Sequence, residues 1–258
     1  MRRAESHATT ERNALVLERI RELKAEHPFW GYRRVWAYLR FVDGLEVNKK
    51  RVFRLMQRNG LLVKPNTRLR AARAPSRTKP RPERPNQWWG IDMTKARVDG
   101  FGWVYIVVVL DRFTKKVVGY YAGLQCASRH WLEALEMAVN QQFREGARGR
   151  GLSLMSDNGC QPTSISFIRA CSTLGISQAF TSYNNPKGNA DTERFFRTLK
   201  EELLWLRKWT SPFELLNELG DWTTGYNASY LHSALGYKSP AQFEAEYQGS
   251  QLTHISIP

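Results

Sequence analysis

Three carboxylates and their neighbours carry the chemistry in this sequence. Asp157 lies in Ser156-Asp157-Asn158-Gly159, directly after the apolar run Leu152-Ser153-Leu154-Met155. A short apolar run of this kind reads as a buried strand. Asp157 is therefore expected at a strand end, with Gly159 letting the chain turn. Glu193 opens Glu193-Arg194-Phe195-Phe196-Arg197-Thr198-Leu199-Lys200, and Phe196, Leu199, Leu203 and Leu206 recur at steps of three and four. That spacing predicts a helix with one apolar stripe. At ~100° per residue, Glu193, Arg197 and Lys200 fall together beside the stripe. The third carboxylate, Asp92, sits in Trp88-Trp89-Gly90-Ile91-Asp92-Met93-Thr94. Three carboxylates on rigid elements are the ligands that a pair of hard divalent cations requires. The three cysteines (Cys126, Cys160, Cys171) form no C-x-x-C pair, and the five histidines are scattered. This speaks for a reducing compartment and against a disulfide framework or a zinc site.

The elements that must hold these residues follow from the pattern. Trp88 onward reads as strand one, carrying Asp92. Gly100-Phe101-Gly102 is a turn, Trp103 to Leu110 a buried strand, Asp111 to Lys116 a turn, and Val117 to Tyr121 a third strand. Residues 128–143 read as a helix with Trp131, Leu135, Ala138 and Val139 inward. Strand four ends at Asp157, a helix spans about 164–174, and Ile176 to Phe180 is strand five. Three strands in hairpin order followed by alternating helix and strand predict an α/β fold, a mixed five-stranded sheet flanked by helices. The turn-rich stretch 181–189 precedes Glu193, whose helix is expected to be capped by Asn189 or Asp191. Asp111 and Asp191 are read as turn and cap residues. Trp88 and Trp89 are read as packing residues, and a further helix is expected near 212–226.

The N-terminal part is built differently. Residues 1–26 read as a polar helical lead-in with an imperfect stripe of Leu15, Leu17, Ile20 and Leu23. Residues 27–62 read as two short helices. The first carries Arg33 and Arg34. The second is capped by Asn48, carries Lys49, Lys50, Arg51 and Arg54, and is stopped by Asn59-Gly60. Helix, turn and basic helix make a helix-turn-helix pattern. Residues 63–87 hold five prolines, eight Lys/Arg and one Glu. This composition builds no core and reads as an extended basic linker or a plain spacer. The remaining divisions are a core over 88–210 and a C-terminal helical extension over 211–258.

Charge separates these parts. The 258-residue chain is +15 overall, yet residues 1–87 hold 22 Lys/Arg against 8 Asp/Glu, while residues 88–258 hold 17 against 16. A basic front end on a nearly neutral body predicts nucleic-acid binding through phosphate. A basic helix that only docks on the body is the competing reading. The longest apolar run, Trp103 to Leu110, is too short to span a bilayer, and no secretory h-region follows the N-terminus.

Asp92, Asp157 and Glu193, with 35 residues between the last two, resemble the Asp-Asp-Glu triad of integrase-type transposases and retroviral integrases. Trp88-x-x-x-Asp92-x-Thr94, Ser156-Asp157-Asn158-Gly159-Cys160-Gln161 and Asn189 to Lys200 are similar to the motifs of insertion-sequence transposases made from a second reading frame. His27-Pro28, Gly31-Tyr32-Arg33-Arg34-Val35 and the Asn48–Met56 stretch resemble the helical domain before their core. The resemblance covers about residues 27–245. It implies a ribonuclease H-like integrase core and metal-dependent cleavage and strand transfer of element ends. It also implies two Mg²⁺ ions held by Asp92, Asp157 and Glu193, with Mn²⁺ as substitute. Lys200 and Arg197 are expected on DNA beside the site, and Arg33, Arg34, Lys49, Lys50, Arg51 and Arg54 through the front end. A homo-oligomer on DNA, a first-frame protein or fusion, and a bacterial cytoplasmic, nucleoid-associated location are implied likewise. Departures stand at Gly188 and Thr192, where Asp and Ala are usual, and at Arg194 in place of Ser. The rival readings are a catalytically weak DNA-binding regulator and a ribonuclease H-type nuclease that cleaves without joining.

Overall fold

The computed structural model describes residues 7–63, 81–181 and 190–255. The chain divides into two compact units, Met1–Ala72 and Arg73–Pro258.

The first unit is three helices around one small core. Helix α1 (His7–Glu26), α2 (Tyr32–Phe41) and α3 (Lys49–Arg58) bury Ile20, Leu23, Val35, Leu39, Val52 and Met56 against one another. Asn48 caps α3 as expected, its side chain accepting from the Lys50 amide at 2.8 Å. The lead-in helix is thus part of the unit. Its expected stripe holds at Ile20 and Leu23 and fails at Leu15, which is 70% exposed; Val16 packs instead. The reason is angular: on a helix Ile20 and Leu23 share a side with Val16, not with Leu15.

The second unit is a five-stranded mixed sheet in the order β3-β2-β1-β4-β5. Strand β1 (Trp88–Val98), β2 (Gly102–Asp111) and β3 (Val117–Gly123) form an antiparallel meander. Strands β4 (Ser153–Ser156) and β5 (Ser177–Phe180) add in parallel on the other side of β1. Helix α4 (Ser128–Gln142) makes the crossover from β3 to β4, and α5 (Ile165–Leu174) the one from β4 to β5. Strands β1 and β2 are buried on both faces, so each face has its own core. Trp89, Ile91, Val107 and Val109 pack under α4 and α5. Ala96, Val98, Ile106 and Val108 pack under helix α6 (Ala190–Leu199) and α7 (Pro212–Ser229). A last helix, α8 (Pro240–Ile255), closes the C-terminal part.

The β2–β3 turn is fixed by Asp111, whose carboxylate is 1% exposed. It accepts from the amides of Asn86, Phe113 and Thr114 and from the Thr114 hydroxyl. Asp111 is a turn residue, as read from sequence. Trp89, fully buried, is a core residue as expected.

Candidate active site and nucleic-acid interface

Each of the three carboxylates sits on the element expected for it. Asp92 lies mid-way along β1, on the side of the sheet facing α6. Strand β4 runs parallel to β1 with Gly90 opposite Met155, so Asp157, the first residue after β4, comes level with Asp92. Glu193 is in the first turn of α6. Phe195, Phe196 and Leu199 bury the opposite face of that helix in the sheet core, which leaves Glu193, Arg194 and Arg197 exposed. Leu206, expected on this stripe, is 45% exposed. The α-helix ends at Leu199, and a π-helical turn spans Lys200–Leu204, with the Trp205 amide bonding the Lys200 carbonyl at 2.9 Å. The wider turn breaks the steps of three and four after Leu203.

Asp92 feels the other two. Burial pushes the Asp92 carboxyl up to about 6, and the charges of Asp157 and Glu193 push the same way. The Met93 amide, bonded to Asp92 Oδ1 at 2.7 Å, and the Lys200 ammonium oppose the rise. Asp157 is exposed and spends one oxygen on the Gly159 amide at 3.0 Å. This is an excess of hard oxygen donors over cations, which fits a divalent cation in kind. Among the described residues, no three His, Cys, Asp or Glu side chains stand close enough to enclose one ion. The carboxylates share a field without forming a closed ligand set.

A second group holds the Glu193 helix in place. Arg112, in the turn fixed by Asp111, is 2% exposed, and its guanidinium lies 3.5 Å from Asp191. Lys115 Nζ reaches the other Asp191 oxygen at 3.2 Å and the Arg112 carbonyl at 2.6 Å. The Arg112 amide donates to the Trp88 carbonyl at the start of β1. Asp191, expected as a cap, is therefore the counter-charge of a buried arginine two residues before Glu193. Sequence reading missed this pair. Asp191 is a common cap type, and nothing in the local spacing points to position 112. Asn189 and the stretch 182–189 lie outside the described residues, as does Gly188.

The expected DNA contacts differ in surroundings. Arg197 is exposed and pairs with Glu201 at 2.8 Å. Lys200 lies within electrostatic range of Asp92. In the first unit, Lys50 and Arg54 on α3 and Arg33 on α2 are exposed. Arg34 stacks over Trp30 and Lys49 over Trp36. Arg51 turns inward to Asn13 on α1 at 2.8 Å.

Comparison with known proteins agrees with this architecture. The chain matches the HTH-like domain family over residues 10–68 and two integrase core domain families over residues 82–186 and 174–240. It is 25% identical over 233 residues to transposase InsD of insertion element IS2A/D/F/H/I/K from Escherichia coli, covering 88% of this chain and 77% of that protein. Transposase InsD of insertion element IS2-9 from Escherichia coli strain K12 matches at the same identity over 76% of its length. Among solved structures, a simian T-cell lymphotropic virus intasome in complex with the PP2A regulatory subunit B56 gamma shares the fold. Its TM-score is 0.53 at 17% identity, over 87% of this chain and 74% of that one.

Proposed function

We propose, from the premise that this chain is an insertion-sequence transposase with a retroviral-integrase-like core, that it cuts and rejoins the ends of a DNA element through Asp92, Asp157 and Glu193. The chain is accordingly a polynucleotidyl transferase preceded by a DNA-binding helix-turn-helix-like domain. What carries the catalytic assignment is the shared field of the three carboxylates. A half-buried Asp92, raised to about 6 by burial and by Asp157 and Glu193, has more negative charge around it than Lys200 offsets. A divalent cation relieves that excess.

Asp92, Asp157 and Glu193 would hold two Mg²⁺ ions, or Mn²⁺ in their place. When bound, the metal activates the attacking oxygen and steadies the leaving one in an in-line displacement at phosphorus. The chain's own part is to position. The sheet fixes Asp92 on β1 and Asp157 just past the end of neighbouring β4. Arg112 and Lys115 hold the first turn of α6 and so place Glu193. Lys200 places a positive charge beside Asp92, where a DNA phosphate would arrive. The attacking group is water in cleavage and a 3′-hydroxyl in joining. The same displacement serves both steps, so one site suffices.

Lys50, Arg54 and Arg33 would bind phosphate through the first unit, giving affinity more than sequence discrimination. A homo-oligomer on DNA, a first-frame partner protein and a nucleoid-associated location in the bacterial cytoplasm complete the proposal. They rest on the kinship to second-frame transposases.

The test is nicking of supercoiled plasmid with Mg²⁺ or Mn²⁺, beside Glu193→Gln. Loss of nicking by at least ~10³-fold in the variant, with DNA binding retained, is the expected outcome, because Glu193 would hold the metal that drives the chemical step and not the DNA itself. Equal nicking by both proteins would overturn the assignment. Joining of a labelled 3′ end to a target plasmid then separates a transposase from a nuclease that only cleaves.

A further inference from the structure

A second concave site lies on the same unit, along the edge of β1 past the carboxylates. Among the described residues, β4 pairs with β1 only over Trp88–Gly90, and the sole pairing farther along this side is the bridge from Val98 to Trp209. From Lys95 to Asp99 the strand borders a groove. Here a cavity of about 430 Å³ is floored by Ala96, Leu204 and Trp209. Trp209 is 2% exposed and fixed, its indole donating to the Leu204 carbonyl at 3.1 Å and its own carbonyl accepting from the Asp99 amide at 2.8 Å.

The walls are rings and cations. On one side Lys95 Nζ stands 4.4 Å from the ring centroid of Trp103, which is 44% exposed, with Arg97 beside it. On the other, Trp205 is 62% exposed and Lys208 follows. Trp205 is thrown outward where the π-helical turn that begins at Lys200 ends. Arg207 is committed, stacked 4.3 Å over Trp209 and paired with Glu218 at 2.6 Å. Lys95, Arg97 and Lys208 then face a single acid, Asp99. Lys95 and Arg97 are three and five residues from Asp92, roughly 10–17 Å along the strand, and the odd spacing puts both on the other face of the sheet.

We infer that this groove binds unpaired nucleotides of the DNA being processed at the carboxylates, with bases against Trp103 and Trp205 and phosphates against Lys95, Arg97 and Lys208. The inference rests on the reading of this unit as a DNA-processing core. Alternating rings and cations are what a single strand requires, because its bases expose a stacking face and its backbone is negative. A duplex keeps its bases stacked on one another and offers such rings nothing. A protein partner is the other occupant to weigh. Interface centres are poor in lysine, and here lysines stand on both walls.

The test uses the full chain carrying Glu193→Gln, in buffer without divalent metal, and reads binding by fluorescence anisotropy. One probe is a blunt duplex of arbitrary sequence. The other is the same duplex with a single-stranded thymidine extension of about six nucleotides, within the usual span of such sites. The extension is expected to tighten binding roughly tenfold, in line with one stacked base. Trp205→Ala and Trp103→Ala should each erase most of that gain and leave blunt-duplex binding unchanged, while Trp205→Phe keeps it. Both tryptophans are largely exposed, and far-ultraviolet dichroism checks that the variants fold. No gain from the extension, or equal loss on both probes, overturns the inference. So does a Trp205→Ala variant that changes only the association state in sedimentation, which would mark a protein interface. Plasmid nicking by the unsubstituted chain is scored separately. Its absence counts against the transposase reading and leaves the binding result standing, whereas nicking without an extension effect removes the groove alone.

Discussion

At the scale of single residues, the buried Arg112 meets its counter-charge Asp191 in the first turn of the helix that carries Glu193. A guanidinium at 2% exposure needs a counter-charge, and Asp191 stands 3.5 Å from its Nε, while Nε and Nη1 make no hydrogen bond among the described residues. Removing one member of such a pair leaves an uncompensated charge. Asp191 is itself a third exposed and shares Lys115, so the cost is moderated. Asp191→Asn is expected to lower stability by about 1–3 kcal/mol. In a thermal melt this reads as a fall in Tm. Nicking should drop at least tenfold with DNA binding intact, because the helix carrying Glu193 loses its anchor. Unchanged nicking would mean that α6 is held by its apolar face alone.

His27 gives the residue-scale pH prediction. It stacks flat on Trp30 with centroids 3.9 Å apart. Burial holds its pKa below the usual histidine value, Arg34 adds to this, and Glu26 opposes it. A depressed folded pKa favours the neutral form. The stability it contributes is present above the unfolded value near 6.5 and is lost as pH falls through the folded value. The first unit should therefore melt at lower temperature at pH 5 than at pH 7. His27→Gln should flatten that part of the profile, followed by Trp fluorescence. A profile identical in the variant would show that other groups set it.

At the scale of elements, close packing decides where the strands and helices meet. A Cβ on Gly119 of β3 would stand 2.6 Å from the Ala138 nitrogen of α4. The neighbour is helix backbone and cannot rotate away. Gly119→Ala is expected to cost about 1–3 kcal/mol or more as overpacking, read in the midpoint of a denaturant melt. The succession of elements and most of their ends were legible in the sequence, because β1 to β5 and α4 to α6 carry apolar runs or helical spacing bounded by turn residues, whereas the strand order came from the structure. The α6 stripe failed at Leu206 for a local reason. The pattern assumed one α-helix past Lys200, and the chain forms a π-turn there. The lead-in stripe failed at Leu15 because steps of three and four from Ile20 reach Val16 and Leu17 instead.

At the scale of the whole molecule, charge is the property to measure. The first 87 residues hold nearly all of the +15, so duplex binding should weaken steeply as salt rises. Removing one phosphate-binding cation should reduce the slope of log K against log salt by about one. Lys50→Ala with Arg54→Ala is expected to lower it by about two. Arg51→Ala should act mainly through stability, since Arg51 is tied to Asn13. A slope near zero in the unsubstituted chain would remove phosphate binding from the front end.

The sequence by itself determined the elements, the mixed sheet, the position of each carboxylate on its element, and the charge division. These depend on residue periodicity and local turn chemistry, which act over a few positions along the chain. Only the tertiary structure decided that Arg112 meets Asp191, that Arg51 turns inward while Lys50 and Arg54 stay exposed, and that Trp103 and Trp205 wall one groove. Those pairings join residues 38, 79 and 102 positions apart. They arise because sheet pairing brings distant strands level and because burying a charge obliges it to find a counter-charge wherever the fold presents one. No local pattern carries that information.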